Sequence, residues 1–300
     1  MVITLGNNII NAYTGGVPVQ SIFANGVQVW PSSTPPSPTT YYVRWTPSYI
    51  SEGTFSIGGN VYNYSDYSDG YFSFSTGVIT SSAFAPNYVF SGVSLFVERI
   101  EQDAFANCHN MREVNISGCS YIGKHAFAWD SKLNSLYAQS CTYIDDGAFA
   151  RAFSGISNNS ADLPDCRYIG EEAFYSCRCL VIVSIPVCSY IGEGAFWGCL
   201  ISQIDLPSCE YLGPECFGDN PLSVVNLPVC SYIGESAFRA CSHLNTMILG
   251  STSVCVLDGS SVFYETLLDT GSIYVPTSLV SLYKVASNWS YYSSNIYPIE

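Results

Sequence analysis

VCSYIGEGAFWGC (residues 187–199) recurs 21 residues later as SCEYLGPECFGDN (208–220) and, after another 21, as VCSYIGESAFRAC (229–241). The three stretches align without gaps. Self-similarity at such a short, fixed period is typical of coils that stack on one another, and it is not expected in a single globular core.

The same period extends well beyond these three copies. The tripeptide Tyr-Ile/Leu-Gly, or a close variant, precedes a small residue and a phenylalanine, and these phenylalanines recur at steps of 21 to 25 residues. They are Phe105, Phe127, Phe149, Phe174, Phe196, Phe217 and Phe238, flanked by Phe84 and Phe263. We therefore expect eight or nine coils.

A third pattern, aliphatic-x-x-aliphatic-x-aliphatic, completes each coil. It is clear at Leu180, Val183 and Ile185, which Pro186 follows. This alternation is typical of a short strand that proline ends. Each coil is thus predicted to hold a short strand, a turn through Tyr-Ile-Gly and a helical or 3₁₀ segment carrying the phenylalanine.

One coil is too small to fold by itself. It buries about five large apolar side chains at roughly 1.5 to 3 kcal/mol each, whereas ordering its residues costs roughly 1.5 kcal/mol per residue. Stacking gives every apolar side chain an equivalent neighbour in the next coil. The sequence therefore predicts a β-rich α/β repeat solenoid with short parallel strands.

The combined pattern L-x-x-I-x-(L/I)-P-x-C-x-x-I-G-x-x-A-F-x-x-C resembles the BspA-like leucine-rich repeat of bacterial surface and gut-associated proteins. It covers roughly residues 84–263. The resemblance implies a right-handed leucine-rich-repeat superhelix with short helical or 3₁₀ turns, to which the chain adds a small N-terminal β module. It also implies attachment to host cells, matrix or other bacteria, and no reaction.

Composition narrows the classes of partner. The 300 residues are 48% hydrophobic and 11% charged, with a net charge of −14. Nucleic acid and anionic lipid are not expected as partners, because phosphate binding needs clustered cations. No apolar run is long enough to span a membrane, so no membrane insertion is expected. The opening MVITLGNNIINAYTGG lacks a basic start and a continuous apolar core, so we do not expect a secretory signal there.

Ten of the thirteen cysteines follow the repeat. One column stands two residues before the tyrosine and a second stands three residues after the phenylalanine. In other coils the second column holds Asp130, Ala152 and Asn220. A disulfide framework would not permit these replacements, because it needs cysteine at each bonded position. We expect buried reduced thiols, with disulfides as the alternative. Cys177-x-Cys179 lacks zinc-site spacing, so no metal site is predicted.

Residues 1–30 are predicted to form a β-hairpin module that mounts the protein on a larger assembly. Asn25-Gly26 is a strong hairpin signal, and the Pro/Ser/Thr-rich residues 31–40 are expected to be an extended linker. The opening, ending in NGVQVWP, resembles the start of structural proteins encoded by gut bacteriophages. A decorative hairpin or an N-terminal cap is the alternative.

Three further regions are predicted. Residues 41–96 form a Tyr-rich β cap that covers the first coil and could also bind a ligand. Residues 97–269 form the leucine-rich-repeat solenoid, with a bulging loop at residues 154–164. Residues 270–300 form a C-terminal cap with a short helix, for which Thr277 or Ser278 is the N-cap.

Outward positions of the predicted strands offer a candidate binding surface, suited to a broad and weak contact. Plain solvated surface is the alternative. The candidate residues are Arg112, Glu113, Asn115, Asn134, Ser135, Tyr137, Ser202, Gln203, Asp205, Ser223, Val224, Asn226, Asn245 and Thr246.

No catalytic or cofactor-binding residues are predicted. His109 and His243 follow the second cysteine column by one and two residues, and His125 stands beside an Ala-Phe pair. A pairing of Cys108 with His109, or of Cys241 with His243, lacks a third orienting group. The chain also lacks a nucleophile elbow, a phosphate-binding loop and a zincin helix.

Three hypotheses follow for function. The first is a bacteriophage virion component, such as a tail fibre or surface decoration, that contacts an envelope protein or glycan of a gut host. It would join other virion proteins through its N-terminal module. The second is a bacterial surface or secreted adhesin, joined to cell-surface proteins. The third, a glycan-processing enzyme, needs a paired-carboxylate cleft that the repeat does not contain.

Overall fold

The computed structural model describes residues 78–85, 90–155 and 159–299 and, before residue 78, only the strands named below. The chain divides into two compact units, Met1–Thr40 and Tyr41–Glu300. The predicted linker, residues 31–40, lies outside the described residues.

The first unit contains two antiparallel strand pairs. Tyr13–Thr14 pairs with Val17–Pro18, and Ile22–Ala24 pairs with Val27–Trp30. The second pair flanks Asn25-Gly26, where the sequence predicts a hairpin. The connection itself lies outside the described residues.

One side of the second unit, here called the long-strand face, is formed by parallel strands in two successive sheets. The first sheet contains Phe90–Phe96, Glu113–Ser117, Ser135–Ala138, Asn159–Asp162 and Leu180–Ser184. The second contains Ile204–Asp205, Val224–Leu227, Thr246–Leu249, Ser272–Val275 and Ile296–Pro298. Buried aliphatic residues alternate with outward residues in five of these strands, as the sequence pattern predicts. They are Glu113–Ser117, Ser135–Ala138, Val224–Leu227, Thr246–Leu249 and Ser272–Val275.

A second side, here called the short-strand face, is a nine-stranded parallel sheet. Its two-residue strands are Val78–Ile79, Arg99–Ile100, Tyr121–Ile122, Tyr143–Ile144, Tyr168–Ile169, Tyr190–Ile191, Tyr211–Leu212, Tyr232–Ile233 and Val256–Leu257. The sequence predicts turns through Tyr-Ile-Gly, and the structure differs here because each Tyr-Ile pairs in register with its equivalents. The repeat solenoid itself is confirmed.

The third side, here called the turn face, carries the phenylalanines. From Phe105 to Phe238, the residues two before and two after each phenylalanine of the row have left-handed backbones, as at His125 and Trp129 around Phe127 (φ 53° and 63°). The Phe127 N–H donates to the Ala148 carbonyl of the next coil at 2.8 Å. The Ala128 N–H instead closes a turn within its own coil. These segments are therefore stacked β-turns, and the short helices expected at this position do not form.

The phenylalanines form the centre of the core. Every consecutive pair from Phe84 to Phe263 is stacked, with ring centroids 4.7 to 5.9 Å apart. All nine rings are buried. Such pairs contribute about 0.5–1.5 kcal/mol beyond their area burial. The prediction that equivalent phenylalanines lie in a single row is confirmed.

Two antiparallel strands extend the first long-strand sheet at its N-terminal edge. Tyr41–Trp45 pairs with Phe90–Phe96, and Tyr71–Phe74 pairs with Tyr41–Trp45. A separate antiparallel pair joins Thr54–Ile57 to Asn60–Asn63. Strands from the predicted Tyr-rich cap thus continue the sheet of the coils.

The C-terminal segment covers the last coil. It contains 3₁₀ turns at Thr277–Leu279 and Trp289–Asn295 and one α-helical turn at Val280–Tyr283. The indole N–H of Trp289 donates to the Cys255 carbonyl at 2.7 Å. The prediction of Thr277 or Ser278 as the N-cap is wrong. Pro276 is the N-cap of the 3₁₀ turn, Leu279 is the N-cap of the α-helical turn, and no side chain caps either turn.

The prediction of a bulging loop at residues 154–164 is wrong in part. Asn159–Asp162 is a strand that pairs with long strands on both sides. Asn159 replaces the expected aliphatic residue, is almost fully buried, and donates from its side-chain amide to the Leu133 carbonyl at 3.2 Å. Residues 156–158 lie outside the described residues.

Candidate functional site

All fourteen predicted surface residues lie on the long-strand face or one or two positions before its strands, and each is exposed or half-buried. Six belong to the first sheet and eight to the second. The first group is Arg112, Glu113, Asn115, Asn134, Ser135 and Tyr137. The second group is Ser202, Gln203, Asp205, Ser223, Val224, Asn226, Asn245 and Thr246.

Strand register brings several of these residues side by side. Glu113 pairs with Ser135 and Asn115 pairs with Tyr137 in the first sheet. In the second sheet Asp205 pairs with Asn226 and Val224 pairs with Thr246. Equivalent side chains therefore lie about 4.8 Å apart along the solenoid. The two groups belong to different hydrogen-bonded sheets, so register does not pair one group with the other.

Several outward residues of the same face were missed by the sequence prediction. Ser160 and Asp162 continue the first group, because they pair with Ser135 and Tyr137. Ile182 follows Ser160 after a register shift and is 59% exposed. The signal was present in the Ala-x-Leu-Pro ending of that coil, but the polar residue at position 159 concealed it.

Aromatic residues close the C-terminal end of this face. Asn226 is followed in register by Ile248, Tyr274 and Tyr297. The two tyrosine rings lie 6.0 Å apart. The face therefore passes from polar side chains to an aromatic pair, a combination that suits contact with protein or carbohydrate.

The short-strand face carries a continuous tyrosine ladder, defined as Tyr121, Tyr143, Tyr168, Tyr190, Tyr211 and Tyr232. Neighbouring rings are stacked with centroids 4.2 to 5.5 Å apart. Each tyrosine is half-buried. The sequence analysis placed these residues in turns and so assigned them no surface.

Two tyrosine hydroxyls of the ladder donate hydrogen bonds to aspartates. Asp145 and Asp258 stand at the position that glycine holds in the Tyr-Ile-Gly of other coils. The Tyr121 hydroxyl donates to Asp145, and the Tyr232 hydroxyl donates to Asp258, each at 2.5 Å. Burial, followed by the Asp145 bond, raises the pKa of Tyr121 to about 12. The Asp258 bond, followed by burial, raises the pKa of Tyr232 to about 12. Both phenols therefore stay neutral at physiological pH.

The Cys241 thiol and the His243 ring contact different groups. The Cys241 thiol donates to the Phe217 carbonyl at 3.1 Å, and burial raises its pKa to about 12. His243 instead lies 3.3 Å from the Ser242 hydroxyl. His109 bonds the Trp129 carbonyl at 2.9 Å. The contacts of the two histidines are thus with a hydroxyl group and a backbone carbonyl.

No disulfide joins two cysteines in the part of the chain that the structure describes. Within residues 78–85, 90–155 and 159–299, no three His, Cys, Asp or Glu side chains converge as a metal site would require. Among the described helices, none has the length and apolar character needed to cross a bilayer.

The two strand faces, the turn face and the stacked columns define a leucine-rich-repeat solenoid protein. The family model for the BspA-type leucine-rich repeat region matches residues 55–156 and 150–269, in six copies. The chain belongs to the BspA-type leucine-rich repeat family. This membership confirms the resemblance carried by the Cys-x-x-Ile-Gly and Ala-Phe columns.

Two solved structures with similarity to this chain are of leucine-rich proteins. A leucine-rich cell surface protein from Faecalibacterium prausnitzii A2-165 is 23% identical, with a TM-score of 0.44, over 61% of this chain and 45% of its own. This chain therefore spans less than half of that protein. A leucine-rich repeat protein from Bacteroides ovatus ATCC 8483 is 19% identical, with a TM-score of 0.39, over 76% of this chain and 70% of its own.

A third similar structure is the pneumococcal vaccine antigen PcpA, at 15% identity and a TM-score of 0.26, over 82% of this chain and 85% of its own. No curated protein matches this chain.

Proposed function

We propose that this protein is a non-catalytic recognition protein that uses the long-strand face to bind a protein or glycan on a cell envelope. The observation that carries the proposal is the in-register row of outward polar residues on a rigid parallel sheet. Asp205 and Asn226 are held by buried neighbours in the same strands. A surface built this way loses little conformational entropy when it binds.

The polar and aromatic composition of the face supports extended contact in preference to an enclosed ligand. Val224 and Ile182 are large apolar side chains that stay exposed beside polar neighbours. Together with Tyr274 and Tyr297, they provide dispersed apolar area along one side of the solenoid. Extended solenoid surfaces of this kind suit large partners.

A charge-reversal variant tests the face. The intact protein is screened against envelope fractions of gut bacteria and a glycan array, and the best ligand is titrated. D205K/N226K places two lysines side by side on the face, and we expect at least a tenfold loss of affinity. S242K/D269K adds the same charge elsewhere and should retain binding. Equal losses in the two variants would refute the assignment of the face.

The N-terminal unit supports a more specific proposal, in which the protein is a bacteriophage virion component mounted through residues 1–30. Paired strands Ile22–Ala24 and Val27–Trp30 flank the Asn-Gly of the predicted hairpin. A small strand unit ahead of a Pro/Ser/Thr-rich stretch is a suitable anchor for a solenoid. A location on a bacterial surface, with the same unit bound to a cell-surface protein, is the other candidate.

Deletion of residues 1–40 tests the anchor. The shortened chain is expected to fold, because the coils form a separate compact unit, and to lose association with its assembly in co-purification. Recovery with phage particles favours the virion, and recovery with bacterial envelopes favours the adhesin. Normal incorporation of the shortened chain would refute the anchoring role.

Assay of the purified protein on gut polysaccharides tests the absence of catalysis. We expect no reducing ends to appear. Hydrolysis that disappears on substitution of an exposed Asp or Glu would replace recognition with glycan processing.

A further inference from the structure

The tyrosine ladder already carries one guanidinium group at its N-terminal end. Arg99 occupies the ladder position of the preceding coil, in register with Tyr121. Its guanidinium carbon lies 3.9 Å from the Tyr121 ring centroid, and its Nε donates to Glu101 at 3.0 Å. This face can therefore hold a planar cation that lies over a tyrosine ring and is hydrogen-bonded to a carboxylate, here Glu101.

The margin between the short-strand face and the turn face is charged differently along its length. In the N-terminal coils the chain supplies its own cation, since the Lys124 ammonium lies 3.6 Å from the Asp146 carboxylate. From Glu171 to Glu235 the charged side chains that directly follow each Tyr-Ile/Leu-Gly are all carboxylates. They are Glu171, Glu172, Glu193, Glu215 and Glu235, here called the acidic edge.

The acidic edge has no internal counter-charge. None of its five members forms an ion pair with a residue that the structure describes, and all five are exposed. Two arginines near this edge lie beside other groups. Arg239 lies over the Tyr264 ring, and Arg167 immediately precedes Tyr168, at the opposite margin of the ladder.

We propose that the acidic edge and the adjoining tyrosines, from Tyr168 to Tyr232, bind an extended arginine-rich segment of a partner protein. Successive coils lie about 4.8 Å apart. Glu171, Glu193 and Glu235 share one column of the repeat, and Glu172 and Glu215 stand one residue later, so a peptide along the solenoid axis meets a carboxylate at each of these coils. Arginine fits because its planar fork bonds carboxylate and also contacts aromatic rings. This surface differs from the long-strand face, so the proposal does not depend on the function proposed above.

Titration of the intact protein with nona-arginine tests the proposal at 0.15 M salt, where distant charges are largely screened. E171Q/E193Q/E235Q removes three edge charges and is expected to weaken binding at least tenfold. D165N/D219N/D269N removes the same charge from exposed positions away from the edge and is expected to change affinity less than twofold. Equal weakening in both variants would show attraction to net charge only and would overturn the proposal.

Two further measurements separate the ladder from the carboxylates. Nona-lysine carries the same charge without a planar group, so it is expected to bind at least threefold more weakly than nona-arginine. Equal affinity would overturn the role of the tyrosines. With labelled tyrosine, NMR shifts on adding nona-arginine are expected at Tyr190 and Tyr211 and not at Tyr274. Shifts at Tyr274 alone would place the peptide on the other face.

Discussion

Asp130 stands three residues after Phe127, at a position where four other coils carry cysteine and one carries Asn220. In those coils the side chain donates to the phenylalanine carbonyl of the preceding coil. The Cys177 thiol donates to Phe149 at 3.1 Å, and the Asn220 amide donates to Phe196 at 2.7 Å. In these five coils the column carries a hydrogen-bond donor, whereas Ala152 at the same position carries none.

Asp130 can act as a donor only as a neutral acid. It is fully buried, and one of its carboxyl oxygens accepts the Cys108 N–H at 2.6 Å. The other oxygen has no hydrogen-bond partner among the described residues. Burial, opposed only by the Cys108 bond, raises the pKa of Asp130 well above its usual value. A proton on the second oxygen would give Asp130 the donor that its neighbours in the column have.

Stability should therefore depend on pH through Asp130. Because its folded pKa is raised, the folded state holds a proton that the unfolded chain releases above about pH 3.9. The free energy of unfolding falls by up to about 1.4 kcal/mol per pH unit from there to the folded pKa. D130N, with an amide donor, removes this term. Urea unfolding from pH 4 to 9 should show the variant gaining stability relative to the parent.

All other titrating groups are shared by parent and variant, so the difference between their stability curves isolates Asp130. A constant difference across this pH range would contradict a protonated Asp130.

Gly192 illustrates a different constraint at single-residue scale. A Cβ at this position would lie 2.7 Å from the Gly170 carbonyl carbon of the preceding coil. G192A is expected to cost about 3 kcal/mol, because backbone atoms cannot yield to it without separating the coils. G194A is the control, since its nearest contact is 3.6 Å and only its left-handed backbone (φ 58°) opposes alanine. We expect it to cost about 1 kcal/mol.

Equilibrium unfolding of both glycine variants measures these costs. Equal destabilisation would show that backbone conformation, and not coil separation, requires the glycine of Tyr-Ile-Gly.

Among the elements, the tyrosine ladder ends differently at its two termini. Arg99 covers Tyr121 at one end, whereas Val256 holds the equivalent position beside Tyr232 and is 55% exposed. V256R would place a guanidinium beside that last ring and near Asp258. We expect a stabilisation of about 0.5–1 kcal/mol, typical of an exposed cation–π contact.

Thermal and urea unfolding of V256R provide the measurement. V256M is the control, because it lengthens the side chain without a charge and should give less than half of the gain. Equal gains would attribute the effect to apolar contact alone.

The elements also show where sequence prediction succeeded. The Leu180, Val183 and Ile185 pattern predicted a long strand, because burial on one side imposes a two-residue period that is visible locally. The Tyr-Ile strands escaped prediction, since two residues carry no period and their hydrogen bonds join coils more than twenty residues apart. The strand at residues 159–162 was missed because its polar Asn159 obscured the pattern.

Across the whole coil unit, stability should vary with distance from the C-terminal cap. Trp289 is buried against Phe263, with ring centroids 5.9 Å apart. W289A is expected to cost about 3–5 kcal/mol. Since each coil contacts only its neighbours, hydrogen exchange should accelerate at Thr246–Leu249 and Val256–Leu257 and stay slow at Glu113–Ser117.

W289F serves as the milder comparison. It retains an aromatic ring but leaves the Cys255 carbonyl without its indole donor, at a cost of about 1–3 kcal/mol. Uniform acceleration across all coils in W289A would show that the unit unfolds as one block, against the neighbour-only picture.

By itself, the sequence determined the repeat period, the coil contents and the stacking of equivalent residues. In-register parallel pairing brings like positions together, so a column in the sequence becomes a row in space. Only the tertiary structure decided what each row does. Ring stacking in the tyrosine ladder, the uncompensated charge of the acidic edge and the raised pKa of Asp130 depend on distances between atoms of different coils, which no local pattern encodes.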